Sequence, residues 1–202
     1  MQKDIDKYSD EKIIKLALKE NKELFSVVIE RYRQKLVNYS YYITNDWESA
    51  EDIVTDVFIK VGKNLEKFDL NKKFSTWIYK IVHNQTISHL RKKKKEVSLT
   101  KNEWLDKIPS EGDVEDDLNK KQTKELLHGC LKSLPEVYRP PLALSYLENK
   151  SYKEISKVLG ISEGTVASRI NRGKRMMKGL CLHDPSIKKA YDTIKGKSDQ
   201  KD

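Results

Sequence analysis

The stretch SYKEISKVLGISEGTVASRINRGKRMMK, residues 151–178, decides the fold of the C-terminal part of the chain. Ser151 and Glu154 match a capping box, in which each side chain accepts a hydrogen bond from the backbone N–H of the other residue. This pair predicts the start of a helix. Gly160 can adopt the left-handed conformation that ends a helix, and Ser162 is a favoured N-cap for a following one. The stretch therefore predicts two helices joined by a tight turn.

The second helix of this stretch has an apolar face and a polar, basic face. On a 3.6-residue period, Val166, Ile170 and Met177 share a face predicted to point inward, and the small Gly173 permits close packing there. Arginine pairs with guanine and asparagine with adenine in the major groove, so the opposite face predicts contact with duplex DNA. The alternative is an ordinary two-helix corner with a solvated basic face. The candidate contacts are Thr165, Ser168, Arg169, Asn171, Arg172 and Arg175.

Composition agrees with a helical protein that binds a polyanion. A length of 202 residues is enough for two small domains, each with its own core. The 37% hydrophobic and 35% charged residues, with 8 Gly and 5 Pro, favour an all-α fold over a strand-rich one. The formal net charge of +9 favours nucleic acid, although a basic surface also suits an acidic membrane or protein.

Several classes of protein are disfavoured by what the sequence lacks. Cys130 and Cys181 lie far apart without a CxxC pair, so we expect no metal site, no disulfide framework and no cofactor. His83 and His89 do not share a helix face, and we expect them on the surface. We find no Gly-rich phosphate loop and no placed nucleophile or carboxylate set, so a recombinase, a transposase or another enzyme is not expected. No apolar run approaches a membrane span, which predicts a cytoplasmic protein without membrane insertion.

Upstream of this stretch, the apolar periodicity predicts a helical N-terminal region. Residues 9–43 fit two helices, and Asp46 is a good N-cap for a long helix that reaches about Lys67. The polar segment FDLNKKF, residues 68–74, predicts a loop, and Ser75 could cap the helix that follows it.

Charge marks the boundaries between the parts of the chain. Five consecutive positive residues at 91–95 precede a segment, residues 96–120, with eight acidic residues and three lysines. Pro140 and Pro141 predict either a kink or a helix that starts late, with the prolines in its first turn. The predicted organisation is an N-terminal domain at 1–95, a linker at 96–120, a C-terminal domain at 121–181 and a tail at 182–202.

Three segments together resemble one known family. LPEVYRPPLALSYLENKSYKEISKVLGISEGTVASRINRGKRMMK, residues 134–178, resembles the C-terminal promoter-reading domain of bacterial sigma-70 factors, most closely the extracytoplasmic-function (ECF) group. AEDIVTDVFIKVGKNLEKFD, residues 50–69, and FSTWIYKIVHNQTISHLRK, residues 74–92, are similar to that group's N-terminal domain. The resemblance implies a non-catalytic initiation factor that binds core RNA polymerase and promoter DNA, with an anti-sigma factor as a further partner. A stand-alone helix-turn-helix regulator is the alternative.

The resemblance also implies roles for residues of the N-terminal domain. Asp52, Thr55 and Asp56 match the docking surface for the polymerase clamp, although Thr55 departs from the usual glutamine. A solvated helix face is the alternative for these residues. The segment 68–74 matches the loop that captures a base flipped from the minus-ten element, where aromatic walls, polar groups and lysines suit a separated strand. The candidate contacts to the minus-ten element, in this loop and the helix after it, are Phe68, Asn71, Lys72, Lys73, Trp77 and Asn84. For Trp77, a position in the core is the preferred interpretation.

In the C-terminal domain the resemblance implies that the basic helix reads the minus-thirty-five element. Ala167 replaces a residue that is commonly basic in the family, and Gly173 replaces a common alanine. The first departure removes a contact, so recognition is expected to depend most on Ser168, Asn171, Arg172 and Arg175.

Overall fold

The computed structural model describes Ile5, residues 7–99 and residues 129–181, all of them in helices and short turns. No strand occurs in these ranges, which confirms the all-α prediction. The tail at 182–202 and most of the predicted linker lie outside the described residues. Within the described ranges, no helix is long and apolar enough to cross a membrane. The chain divides into two compact units, whose helices are described in turn.

The described helices of the N-terminal unit are α1 Asp10–Lys19, α2 Phe25–Thr44, α3 Trp47–Lys63 and α4 Phe74–Leu99. They form a bundle in which α2, α3 and α4 pack against one another and α1 packs on α2 and α4. Short 3-10 turns, Lys22–Leu24 and Leu65–Lys67, precede α2 and follow α3. Most of its core consists of aliphatic and tyrosine side chains, with Ile13, Val28, Leu36, Tyr39 and Ile78 almost fully buried.

The ends of α2 and α3 follow from residues near them in the sequence. The two helices predicted within 9–43 are present, and Asn45 ends α2 in the left-handed conformation, with φ of 56°. Asp46 caps α3 as predicted, accepting from the Ser49 N–H at 3.2 Å. The predicted end of α3 near Lys67 is wrong. The helix ends at Lys63 because Asn64 leaves the helical conformation and its side-chain amide donates to the Lys60 carbonyl at 2.9 Å.

Helix α4 begins at Phe74, two residues earlier than an N-cap at Ser75 predicts. Ser75 was expected as its N-cap, and this prediction is wrong, because the Trp77 N–H already donates to the Lys73 carbonyl at 3.3 Å. Ser75 therefore lies in the first turn. The Phe74 N–H donates to the Glu11 carboxylate of α1 at 2.8 Å. At its other end, α4 continues through the basic run to Leu99, beyond the proposed domain end at 95.

Polar contacts join α2 to α4 inside the bundle. The fully buried hydroxyls of Ser40 and Thr86 lie 3.0 Å apart, and the Tyr39 hydroxyl lies 3.0 Å from His83 Nδ1. Burial lowers the pKa of His83 to about 4, so its imidazole is neutral at physiological pH. The predicted surface position of His83 and His89 is wrong: both are at least half-buried, because α2 and α3 enclose α4 on two sides.

The C-terminal unit consists of a helical segment at residues 129–132 followed by α5 Arg139–Tyr146, α6 Tyr152–Leu159 and α7 Glu163–Cys181. Pro140 and Pro141 lie buried in the first turn of α5, where a missing N–H does no harm. The late helix start is therefore confirmed and the kink is not observed. The Arg139 guanidinium donates to the carbonyls of Leu134, at 2.9 Å, and Lys132, at 2.8 Å, which satisfies the end of the preceding segment.

Candidate nucleic-acid interfaces

The two helices of the predicted helix-turn-helix are joined as their capping residues require. The Ser151 side chain accepts from the Glu154 N–H at 3.3 Å, and the Glu154 carboxylate accepts from the Ser151 N–H at 3.0 Å. Gly160 has φ of +67°, and its N–H donates to the Ser156 carbonyl at 2.8 Å. Ser162 then caps α7 by accepting from the Thr165 N–H at 3.1 Å. These contacts confirm the capping box, the left-handed C-cap and the second N-cap.

Helix α7 separates into the two predicted faces. Val166, Ile170 and Met177 are at most 5% exposed and pack inward. Five basic residues and one acidic residue lie on α7, which gives its outer surface a positive charge. Thr165 has a further structural role, because its hydroxyl lies 2.8 Å from the Ser162 hydroxyl within the cap. Of the candidate contacts, Thr165 and Arg169 are half-exposed, and Ser168, Asn171, Arg172 and Arg175 are exposed.

Gly173 brings α7 close to α5. A Cβ atom placed at this position would lie 2.6 Å from Leu142 Cδ1 and 3.4 Å from the Tyr138 Cβ. Because carbon atoms pack at about 3.5–4.0 Å, only glycine fits here without a shift. This contact agrees with the close packing predicted for Gly173 and sets how closely α7 lies against α5.

The loop between α3 and α4 is closed by Asp69. Its carboxylate accepts from the Asn71 N–H at 3.0 Å and from the Asn71 side-chain amide at 3.1 Å, and it pairs with Lys72 Nζ at 3.3 Å. The Asn71 and Lys72 contacts hold the pKa of Asp69 below its usual value. Asn71, Lys72 and Lys73 are all exposed. The loop thus presents an amide and two ammonium groups on a short, hydrogen-bonded turn.

An aromatic cluster supports this loop from below. Phe68 is only 5% exposed, with its ring centroid 5.4 Å from that of Phe74 and 5.0 Å from that of Trp77. Tyr32 of α2 meets Phe74 edge to face at 5.6 Å. Phe68 is therefore mainly a core residue beneath the loop, whereas the half-buried Trp77 has both a core and a solvent side.

Trp77 and Asn84 lie on one side of α4. They are seven residues apart, which is about two helical turns, and Asn84 is exposed. Trp77 also packs beneath the loop through its ring contact with Phe68. The six minus-ten candidates thus divide into exposed polar groups and an aromatic floor.

Helix α3 presents a second exposed face. Asp52, Thr55 and Asp56 are all exposed and share this face at helical spacing. The sequence did not single out Ile59, which lies on the same face seven residues after Asp52 and is 51% exposed. The sequence did carry a signal for this residue, because Ile59 does not fall on the helical period of the apolar residues that form the buried face of α3. Val57, Phe58 and Val61 of the same helix are buried in the core.

Comparison with protein families matches both units. The family model described as Sigma-70 region 2 matches residues 28–96, and the model described as Sigma-70, region 4 matches residues 124–177. The first match includes the loop and both exposed faces of α3 and α4. The second includes the capped pair α6 and α7.

Relatives match most of the chain. ECF RNA polymerase sigma factor SigW of Bacillus subtilis strain 168 is 33% identical over 83% of this chain and 94% of its own length. ECF RNA polymerase sigma factor SigM of the same strain is 29% identical over 76% of this chain and 92% of its own length. Among solved structures, the sigma factor RpoE bound to the anti-sigma factor NepR, from Bartonella quintana, has a TM-score of 0.67 at 20% identity and covers 80% of this chain and 99% of its own. CnrH in complex with the cytosolic domain of CnrY has a TM-score of 0.63 at 19% identity and covers 87% of this chain and 98% of its own.

Proposed function

The chain belongs to the ECF group of the sigma-70 family of RNA polymerase sigma factors, and from this premise we infer that its two helical units divide promoter recognition between them. It is a transcription initiation factor without catalytic chemistry of its own. The observation that carries the proposal is the presence, in one chain, of a capped helix-turn-helix with a basic outer face and of a polar loop on an aromatic floor. We propose the domain limits 1–95, 96–120, 121–181 and 182–202 for this division.

The outer face of α7 reads the minus-thirty-five duplex in this proposal. Arg172 and Arg175 are exposed one turn apart, with Asn171 beside them, and side chains of these types can form bidentate contacts with base edges. Ser168 and Arg169 lie one turn earlier on the same face. Thr165 contributes through the cap at the start of the helix, where the backbone N–H groups also favour a phosphate.

The loop between α3 and α4 captures the minus-ten strand. A separated strand exposes base faces and phosphates, so its binding site needs stacking surface and positive charge. Trp77, the half-buried member of the aromatic floor, supplies aromatic surface. Asn71 and Asn84 supply groups for base edges, and Lys72 and Lys73 hold the backbone.

The exposed face of α3 docks on core RNA polymerase. Asp52, Thr55 and Asp56 lie on the same exposed face as an apolar side chain, Ile59, which is 51% exposed. An apolar anchor within a charged rim is the usual composition of a protein interface. Replacing Asp52 or Asp56 by alanine is expected to weaken core binding, and Glu30→Ala, which removes one exposed carboxylate of α2, is the matched control.

The partners of the relatives suggest one further partner. The solved structure of the sigma factor RpoE also holds the anti-sigma factor NepR, and that of CnrH holds the cytosolic domain of CnrY. We propose that this chain is likewise regulated by an anti-sigma factor. Because it acts with polymerase on DNA, we place it in the cytoplasm.

One reconstituted transcription assay tests the whole proposal. Purified core polymerase transcribes a library of templates with randomised minus-thirty-five and minus-ten positions, with and without the full chain. Start sites that share two sequence elements are expected only when both proteins are present. Tight duplex binding by the chain alone, with no gain in start-site selection by polymerase, would instead identify a stand-alone helix-turn-helix regulator.

A further inference from the structure

Helix α1 contacts both ends of the loop at residues 68–73. Glu11 Oε1 accepts a hydrogen bond from the Phe74 N–H at 2.8 Å, at the point where the loop becomes α4. Helix α1 also packs against the 3-10 turn Leu65–Lys67, which leads into the loop. The entry and the exit of the loop are therefore held by one helix that lies about 60 residues earlier in the chain.

The start of α1 is itself held firmly. The Arg31 guanidinium pairs with Asp10 at 2.8 Å and donates to the carbonyls of Tyr8, at 2.9 Å, and Ile5, at 3.2 Å. The Tyr32 hydroxyl donates to the other Asp10 oxygen. Burial, together with this hydrogen bond to Asp10, raises the pKa of Tyr32, so the hydroxyl keeps its proton. These contacts place the first turn of α1, and with it Glu11, at a defined position on α2.

The first turn of α4 requires an acceptor that its own sequence does not supply. The first N–H groups of a helix have no partner within the helix, and a side-chain oxygen at the N-cap normally accepts from one of them. Lys73 occupies the N-cap position, and an ammonium group cannot accept a hydrogen bond. The Glu11 carboxylate takes this role from another helix, with a charge that also suits the positive end of the α4 dipole.

We propose that Glu11 is a positioning residue for the minus-ten loop. The Glu11 carboxylate keeps the N-terminal turn of α4 formed. It thereby sets the position of Lys73 at the end of the loop and the position of Trp77 beneath the loop. As an anion that is already hydrogen-bonded, Glu11 acts through the loop and does not bind the strand. This proposal rests on the proposed function of the loop and extends it to a residue outside both family-matched segments.

Strand binding by holoenzyme tests the proposal. The probe is a fluorescein-labelled single-stranded DNA that carries the minus-ten sequence selected by wild-type holoenzyme from a random library, and a shuffled strand is its control. Anisotropy gives the preference for the selected strand as the ratio of the two Kd values. Glu11→Ala is expected to lower this preference by up to about fivefold, the factor that results when the stability lost with a helix cap falls entirely on strand selection. Glu11→Gln keeps an oxygen acceptor and is expected to retain a preference between those of the wild type and Glu11→Ala.

Glu20→Ala is the matched control, because it removes an exposed carboxylate at the other end of α1, about 14 Å along the helix. It should leave the preference unchanged. Core affinity and melting temperature, measured for every variant, should change little in Glu11→Gln. Wild-type preference in Glu11→Ala would overturn the proposal, as would an equal loss of affinity for both strands. If Glu11→Ala does not fold, a wild-type preference for the selected strand in Glu11→Gln would likewise overturn the proposal. A wild-type holoenzyme that does not distinguish the two strands would refute the proposed function itself.

Discussion

The close approach of Gly173 to Leu142 predicts a measurable energetic coupling between α7 and α5. A Cβ at Gly173 would lie 2.6 Å from Leu142 Cδ1 and 3.3 Å from Cγ, and Leu142 is only 1% exposed. Relief therefore requires a shift of buried groups, and overpacking of this kind costs about 1–3 kcal/mol. Alanine gains about 1 kcal/mol over glycine in a helix. Gly173→Ala should thus lower the free energy of unfolding by up to about 2 kcal/mol.

A double-mutant cycle separates these two contributions. Leu142→Ala removes both crowded carbon atoms and by itself costs about 2–5 kcal/mol. In that background only the helix propensity remains, so Gly173→Ala should stabilise the protein by about 1 kcal/mol. The expected coupling energy is therefore about 1–3 kcal/mol. Gly164→Ala is the control, because a Cβ there would meet nothing within 4 Å.

Hydrogen exchange with mass spectrometry measures this coupling in the full chain. Peptides from α5 and α7 report the local free energy of opening for the wild type, both single variants and the double variant. If the two substitutions are additive within about 0.5 kcal/mol, the reasoning from the close contact is refuted. The change in the local free energy of opening caused by Gly164→Ala should be the same with and without Leu142→Ala.

Three further predictions concern DNA binding, pH dependence and helix capping. In titrations, Arg172→Ala should cost at least about 1 kcal/mol of affinity for the selected minus-thirty-five duplex. Lys178→Ala removes the same charge and should lower the affinity for selected and shuffled duplexes by the same amount. Folding lowers the pKa of His83 from 6.5 to about 4. The free energy of unfolding should therefore keep its full value above pH 6.5 and fall by roughly 1.5 kcal/mol from pH 6.5 to 5. Urea titrations of His83→Gln should lack this decrease, and an identical decrease would contradict the assignment. Asp46→Ala should lower the free energy of unfolding by about 1–2 kcal/mol, because it removes the α3 cap. Lys93→Ala removes only the exposed ion pair with Asp46, at 3.0 Å, and should lower it by less than about 1 kcal/mol. Equal losses for the two variants in thermal unfolding would contradict the cap as the main contribution of Asp46.

Where the sequence predicted the structure well, the controlling contacts are local. The capping box of Ser151 and Glu154 spans three residues, and the left-handed Gly160 depends only on its own backbone. The faces of α7 follow from helical periodicity alone. For the same reason the prolines of α5 could be placed in a first turn, although the sequence left a kink open.

Where the sequence failed, the controlling partner is distant. Ser75 is a better N-cap than Lys73 by local rules, yet the Glu11 carboxylate of α1 makes the earlier start of α4 favourable. His83 was expected on the surface because its neighbours in the sequence do not reveal that Tyr39 lies against it. The sequence also did not reveal that Phe68 is buried, with the rings of Phe74 and Trp77 packed against it.

The sequence by itself determined the class of the protein, the existence of its helices and the chemistry of their exposed faces, because propensity, capping and periodicity act over a few residues. The tertiary structure alone decided which candidate side chains reach solvent, which form the floor beneath the loop and which distant carboxylate holds that loop in place. These features depend on contacts between residues that are remote in the chain, and such contacts exist only once the helices have packed.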